Sequence, residues 1–345
     1  MLVSIVVPCF NREKYIRETL DSIHNQTYHN WEAIVVDDGS SDGSVNVINE
    51  YVNKDSRFRL LHRSRTPKGA AVCRNEGITV AQGDFIMFLD SDDLLAEWCL
   101  EQRMKIMSEC TEQWDFLVFP SLLFKEVYDD MRILADVGTE EKDIYRILRL
   151  EVPWTISGPI WKKQSLRSLG GFDENLSAKQ DPDLIIRAVL SGLSYKRFLE
   201  VRPDVFYRQH QDGRVSSLDD LGNKKIVFNN IRKLICKTSG LLQESKYNND
   251  LLVFRALGNA LITNIFNALF SHLHNEAIKF LKLGDTLNLF SRFDCKLIYF
   301  LIRLDGLGGK SIPGYYRIMR LFLWKYSAPN HWARFTYTGP LNAQK

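Results

Sequence analysis

The 345-residue chain predicts an α/β fold built on an open, mostly parallel sheet flanked by helices, and three observations carry that prediction. Apolar runs rich in β-branched residues recur through the first quarter of the chain, each ends in acids or turn formers, and the intervals between them repeat apolar residues at helical spacing. Continuous apolar runs suit strands buried on both faces. Alternation of strand and helix is the mark of a sheet whose ligands bind outside the carboxyl ends of its strands.

The first run, Ser4-Ile5-Val6-Val7-Pro8, is closed by a proline. Tyr15, Ile16, Thr19, Leu20 and Ile23 then recur as on one helix face. A second strand runs from Trp31 to Val36 and ends in Asp37-Asp38-Gly39-Ser40-Ser41-Asp42. Arg57 to His62 predicts a third strand and Ala70 to Ala81 a helix. The strand Phe85-Ile86-Met87-Phe88-Leu89 then delivers Asp90-Ser91-Asp92-Asp93. Pro8, Asp38 and Asp90 are therefore expected along one sheet edge.

Acids at the mouth of a buried strand call for neutralisation. If the chain is still extended there, Asp90 and Asp92 at i, i+2 project the same way. They would offer hard oxygen ligands to Mg²⁺ or Mn²⁺, leaving other positions to water and phosphate oxygens. The alternative is plain helix capping, in which Asp92 or Asp93 caps a helix through Glu97-Trp98-Cys99-Leu100. A dinucleotide site is excluded, because Pro8-Cys9-Phe10-Asn11-Arg12 stands where a Gly-x-Gly-x-x-Gly turn would be needed.

Five segments fall in order: Ser4 to Asn11, Val36-Asp-Asp-Gly-Ser-Ser-Asp42, Cys73-Arg-Asn-Glu-Gly-Ile78, Gly83 to Asp93, and Gly170-Gly-Phe-Asp-Glu174. Together they resemble the inverting family 2 glycosyltransferases of GT-A fold, of the bacterial surface-polysaccharide type, from the N-terminus to about Ser217. The resemblance implies Asp92 as direct metal ligand, with Asp90 on the ribose or on the metal's other face, and Asp93 capping the following helix. It places Pro8 in the base pocket, with Phe10 and Ser91 in the same nucleotide-sugar set. It gives Asp38 a hydrogen bond from the pyrimidine, which favours uracil, whose N3 carries a proton. Asp37 has the alternative of bonding its own loop. Arg74, on an otherwise small and apolar helix, points to the nucleotide or to Asp38, or is a surface arginine.

An inverting transfer is a single displacement in which a carboxylate takes the acceptor hydroxyl's proton. Family members carry a Glu-Asp pair after the Gly-Gly-Phe-Asp-Glu motif, and this chain has Gln180-Asp181-Pro182. Asp181 inherits the base role, with helix N-capping as its alternative, and Pro182 is expected at the first helical position. Gln180 departs from the family's Glu and leaves its contact with the acceptor open. In the polar stretch after the strand-like region Arg197 to Tyr207, His210, Arg214 and Ser216 have the chemistry to meet the diphosphate. Trp154, in Trp154-Thr155-Ile156-Ser157-Gly158-Pro159-Ile160-Trp161, either floors an acceptor site or packs in the core with Trp161.

Lys and Arg number 45 against 42 Asp and Glu, a formal net charge of +3 that does not support nucleic-acid binding. Six cysteines without paired spacing read as reduced, mostly buried thiols of a cytoplasmic protein. No secretory signal is expected at Met1-Leu2, nor an uninterrupted apolar run able to span a bilayer. Residues 1–217 are expected to form the catalytic domain, with 1–95 binding the nucleotide sugar and 96–217 the acceptor. Residues 218–345 are expected to be helical, including Ile226 to Ser239 and Leu251 to His272. That region has three candidate roles: packing on the domain, dimerisation, or peripheral contact with the inner face of the membrane, for which Tyr315 to Tyr326 is the best candidate.

The expected activity is metal-dependent transfer from a nucleotide sugar, UDP-linked first and GDP- or dTDP-linked second, to a saccharide or lipid-linked saccharide. A catalytically silent member that binds nucleotide sugar or a partner enzyme is the alternative from another class.

Overall fold

The computed structural model describes the chain except residues 111, 128–129, 136–140, 210–220, 309–314 and 316–345. The first half alternates as expected: β1 (Val3–Cys9), α1 (Ile16–His24), β2 (Trp31–Asp37), α2 (Ser44–Lys54), β3 (Phe58–His62), α3 (Ala70–Val80) and β4 (Phe85–Phe88). There follow β5 (Leu94–Leu95), α4 (Cys99–Glu109), β6 (Phe116–Val118), β7 (Ser121–Phe124), β8 (Ile133–Leu134), α5 (Asp143–Leu148), β9 (Pro159–Lys162), α6 (Lys163–Ser168), α7 (Gln180–Leu190), β10 (Tyr195–Arg197) and β11 (Val205–Arg208). Four helices close the described chain: α8 (Leu221–Glu244), α9 (Leu251–Phe270), α10 (His274–Thr286) and α11 (Arg292–Gly306).

Seven strands form the main sheet in the order β10-β6-β9-β4-β1-β2-β3. β1 is parallel to both neighbours, with Val6 opposite Ile34 on β2 and Phe88 on β4. β9 runs antiparallel between β4 and β6. The chain proceeds outward from β1 through β2 and β3, then returns to β1's other side as β4. That reversal opens a crevice at the carboxyl ends of β1 and β4, the usual ligand position in such sheets.

Alternate residues of β1 feed opposite faces, as a strand requires. Ile5 and Val7 pack with Ile16 and Leu20 of α1 and Leu100 of α4. Val6 faces the other layer with Ile34, Phe88 and α3, and that cluster continues without a break into α5, α7 and the apolar sides of α8 to α11. The C-terminal helices thus bury their apolar sides against the main sheet's own core.

A second sheet, β5-β11-β7-β8, sits beyond Asp93. The strand-like region from Arg197 to Tyr207 holds parts of two strands, β10 in the main sheet and β11 in the small one. Pro203 has no amide hydrogen to continue a ladder, and Asp204 between the strands is fully buried as the partner of Arg103, with Nη2 to Oδ1 at 2.7 Å and Nε to Oδ2 at 2.9 Å. α9 is 20 residues long and apolar enough to cross a bilayer by length and composition, but Arg255, Asn259 and Asn264 interrupt its apolar run and 67% of its apolar window is buried in the fold.

No cysteine is in a disulfide among the described residues. Burial pushes the Cys9 and Cys73 thiols up to about 12, with Asp37 adding to the first and Asp38 to the second, so both stay protonated packing residues.

Candidate active site

Three loops meet at the crevice. Asn11, with φ of 51°, turns the chain after β1, and its side-chain oxygen accepts from Ser41 N at 2.8 Å. Arg12 N donates to Ser44 Oγ at 2.7 Å and Glu13 N to Asp42 Oδ2 at 3.0 Å. The first loop is latched to the second by its backbone, which leaves the Arg12 guanidinium to reach Asp92 Oδ2 at 3.2 Å. Pro8 lies buried at the end of β1 opposite Val36. Phe10 is 40% exposed, with the Lys68 ammonium over its ring.

Asp37 closes its own loop, accepting from the amides of Gly39 and Ser40 at 3.1 Å. Asp38 is buried and its Oδ1 accepts from Arg63 Nε at 2.5 Å and Gly69 N at 3.3 Å. Its cationic partner is therefore Arg63 and not Arg74.

Asp90 to Asp93 is a turn, closed by Asp93 N donating to Asp90 O at 3.0 Å, so the condition for parallel projection of Asp90 and Asp92 is not met. Asp90 meets Arg74 and Asp92 meets Arg12. Ser91 between them is buried. Asp93 does not cap a helix: α4 starts only at Cys99, and the buried Asp93 carboxylate accepts from Arg208 N at 2.9 Å, tying the turn to β11.

Arg74 is the hub. It is buried on α3, its Nη2 lies 2.7 Å from Asp90 Oδ1, its Nη1 lies 3.4 Å from Asp181 Oδ1, and its guanidinium sits over the Phe172 ring. Asp181 is the second residue of α7, which starts at Gln180 after Lys179 in the left-handed region, φ 66°. Pro182 is accordingly third in the helix, where its missing amide still costs no hydrogen bond. Asp181 makes no capping bond, so the capping alternative falls and the carboxylate faces Arg74. Enclosure raises its pKa above the usual carboxylate range; Arg74 opposes the rise, Asp90 adds to it and Lys179 opposes it.

Gln180 Nε2 donates to Leu176 O at 2.8 Å, closing the turn before α7. Trp154 is corrected: only 2% exposed, it packs with Phe116 and Tyr195 beneath Arg197 and presents no ring face to a sugar. His210, Arg214 and Ser216 lie outside the described residues. Arg12, Arg63 and Lys179 escaped sequence reasoning, although Arg63 directly follows β3, Lys179 directly precedes α7 and Arg12 lies in the loop after β1, places where a neighbouring acid could have suggested them.

Among the described residues, no group of three or more His, Cys, Asp or Glu side chains forms a metal site. Asp90 and Asp92 nonetheless fit a divalent cation by donor chemistry. They are hard oxygen ligands with side chains 30% and 17% exposed, and two protein carboxylates leave room for water and phosphate oxygens.

Residues 4–113, which carry Asp38, Arg74, Asp90 and Asp92, match the family model described as glycosyl transferase family 2. Over that segment the chain is similar to family 2 glycosyltransferases. Over 106 residues it is 43% identical to the Escherichia coli UDP-Glc:alpha-D-GlcNAc-diphosphoundecaprenol beta-1,3-glucosyltransferase WfgD, a match covering 31% of this chain and 41% of that one. The match spans less than half the length of the first curated relatives. The fold of the described residues is GT-A-like. It superposes on S. aureus TarS 1-349 in complex with UDP-GlcNAc with a TM-score of 0.67 at 17% identity, covering 94% of this chain and 92% of that one. The mannosyltransferase PcManGT from Pyrobaculum calidifontis, in complex with GDP-Man and Mn²⁺, gives 0.52 at 17% identity and 94% and 85% coverage. The family match ends at residue 113, before Asp181; a 37% identical match of 210 residues to an uncharacterized glycosyltransferase of Rickettsia bellii, covering 58% of this chain and 28% of that one, extends past it, and the fold likeness extends further still.

Proposed function

We propose that the protein is an inverting, metal-dependent glycosyltransferase that moves a sugar from a UDP-sugar to a hydroxyl of a saccharide or lipid-linked saccharide. The observation that carries this reading is the double contact of Arg74, which brings Asp90 of the donor half and Asp181 of the acceptor half to one buried guanidinium.

Asp38, oriented by Arg63, receives the uracil N3–H at the end of β2, with Pro8 and Phe10 lining the base pocket. Arg12 and Arg74 place positive charge beside the diphosphate. Mn²⁺ or Mg²⁺, held through Asp90 and Asp92, would supply Lewis-acid neutralisation of the leaving group. Asp181 accepts the acceptor hydroxyl's proton while the new C–O bond forms at the anomeric carbon and the bond to the diphosphate breaks on the opposite face. Its raised pKa strengthens it as a base. The UDP donors in the name of WfgD and the complex of TarS support the choice of nucleotide, and the GDP-Man complex of PcManGT keeps a guanine donor as the second reading.

Calorimetric titration of UDP, GDP and dTDP, with and without Mn²⁺, tests the site. Metal-dependent UDP binding lost in Asp92→Ala is the expected result. Absence of any nucleotide binding in the presence of metal would overturn the donor-site assignment.

A further inference from the structure

We infer that the outward face of α11 is a docking surface for an anionic lipid bilayer. Its inward face is fixed: Ile298, Leu301 and Ile302 are buried, Asp294 is held by the Ser291 cap, and Asp305 accepts from Tyr315 Oη at 2.9 Å and pairs with His274 at 2.9 Å. The opposite face carries Arg292, Phe293, Lys296, Tyr299, Phe300 and Arg303, all exposed, with Leu307 just past the helix end. Phe293 is 72% exposed, Phe300 58% and Leu307 86%, and the seven-residue spacing aligns them in one stripe. A helix that is apolar inward and again aromatic outward has more apolar surface than its packing in the fold accounts for.

Charge selects the occupant. Both acids of α11, Asp294 and Asp305, point inward and are buried, so the outward face carries Arg292, Lys296 and Arg303 with no acid among them. Among the described residues none of these three cations is paired with a carboxylate; Arg303 Nε donates instead to Tyr299 Oη at 2.9 Å. A second copy apposing the same face would bring like charges together. The chain's own tail fits no better, since residues 306–345 contain no Asp or Glu and carry Lys310, Arg317, Arg320, Lys325, Arg334 and Lys345. Aromatic rings between cations instead match the interface of an anionic membrane, where rings enter the headgroup boundary and cations meet phosphates. The earlier candidate, Tyr315 to Tyr326, lies outside the described residues except for Tyr315, which is buried.

Co-sedimentation of the full chain with vesicles tests this without reference to glycosyl transfer. Binding is expected to vesicles of phosphatidylcholine mixed with phosphatidylglycerol, not to phosphatidylcholine alone, and to weaken with salt. The Lys296→Glu/Arg303→Glu and Phe293→Ser/Phe300→Ser variants should each lose about tenfold or more in affinity, with unfolding midpoints unchanged because these side chains are exposed. Three outcomes overturn the proposal. They are a wild type that stays in the supernatant, α11 variants that sediment like wild type while Arg317→Glu/Arg320→Glu does not, and a dimer seen by light scattering that the Phe293→Ser/Phe300→Ser variant dissociates.

Discussion

Asn75 and Phe172 exchange two hydrogen bonds: Phe172 N donates to Asn75 Oδ1 at 2.8 Å, and Asn75 Nδ2 donates to Phe172 O at 2.9 Å. Asn75 Nδ2 also reaches Glu174 Oε1 at 2.7 Å. The side chain of one motif thereby reads the backbone of another nearly a hundred residues away. Phe172, so fixed, lies edge-on to Phe88 with centroids 5.0 Å apart and under the Arg74 guanidinium. The hub that joins Asp90 to Asp181 rests on this clamp.

Asn75→Ala should therefore lower stability by roughly 2–3 kcal/mol, since two or three part-buried hydrogen bonds are worth about 1 kcal/mol each and two backbone groups lose a partner. Turnover should fall further than nucleotide affinity, because Asp38, Asp90 and Asp92 keep their own supports. Denaturant midpoints alongside UDP titration separate the two effects. Equal losses in both would mean that Asn75 serves the fold alone.

Asp181→Asn should abolish turnover by a factor on the order of 10²–10⁴ while UDP binding persists, as loss of a general base does. The pH profile carries a sign. A base works deprotonated, and the Asp181 pKa lies above the usual carboxylate range, so activity should fail on acidification at a higher pH than an ordinary aspartate would give. Lys179 favours the charged carboxylate, so Lys179→Gln should move that acidic limb higher still. A limb that moves down, or does not move, would detach Asp181 from the rate.

Much of the donor half was legible because its signals are local. The strands ending at Cys9, Asp37 and Phe88 announce themselves as β-branched or aromatic runs, and α3 and α9 begin where their periodicity begins. Asp181 was singled out through its spacing from the Gly-Gly-Phe-Asp-Glu motif, and the structure brings it to Arg74. Asp93 was misread as a cap because its partner, the Arg208 amide, lies more than a hundred residues on. Trp154 was left open between two readings, and the break between β10 and β11 was missed, for the same kind of reason. Whether an aromatic is floor or filler, and whether a strand continues, depends on which distant layer covers it. Loop cations such as Arg63 carry no periodicity at all.

Gly77 marks where α3 approaches β1 most closely. A Cβ built there would lie 2.3 Å from Val6 Cγ1, so the glycine accepts its helix penalty in return for close packing on the sheet. Gly77→Ala should destabilise by about 1–3 kcal/mol despite alanine's better helix propensity. The Val6→Ala/Gly77→Ala double variant should be more stable than the sum of the single changes predicts, which thermal melts of the four proteins would read.

The buried pair Arg103–Asp204 fastens α4 to the segment before β11, and Arg103 Nη1 also donates to Ser157 O at 3.2 Å. Both side chains are fully excluded from solvent, so removing one leaves the other charged and unpaired in a low-dielectric interior. Asp204→Leu or Arg103→Met alone should cost about 3–5 kcal/mol, whereas the double replacement should cost markedly less than their sum. The pair's service is geometric: it places β11, whose Arg208 amide holds Asp93 and with it the turn bearing Asp90 and Asp92. Single variants that stay folded should consequently bind UDP with Mn²⁺ more weakly, and the apolar double variant should recover stability before it recovers that binding. Full recovery of both together would show that any well-packed contact between α4 and β11 suffices to hold the turn bearing Asp90 and Asp92.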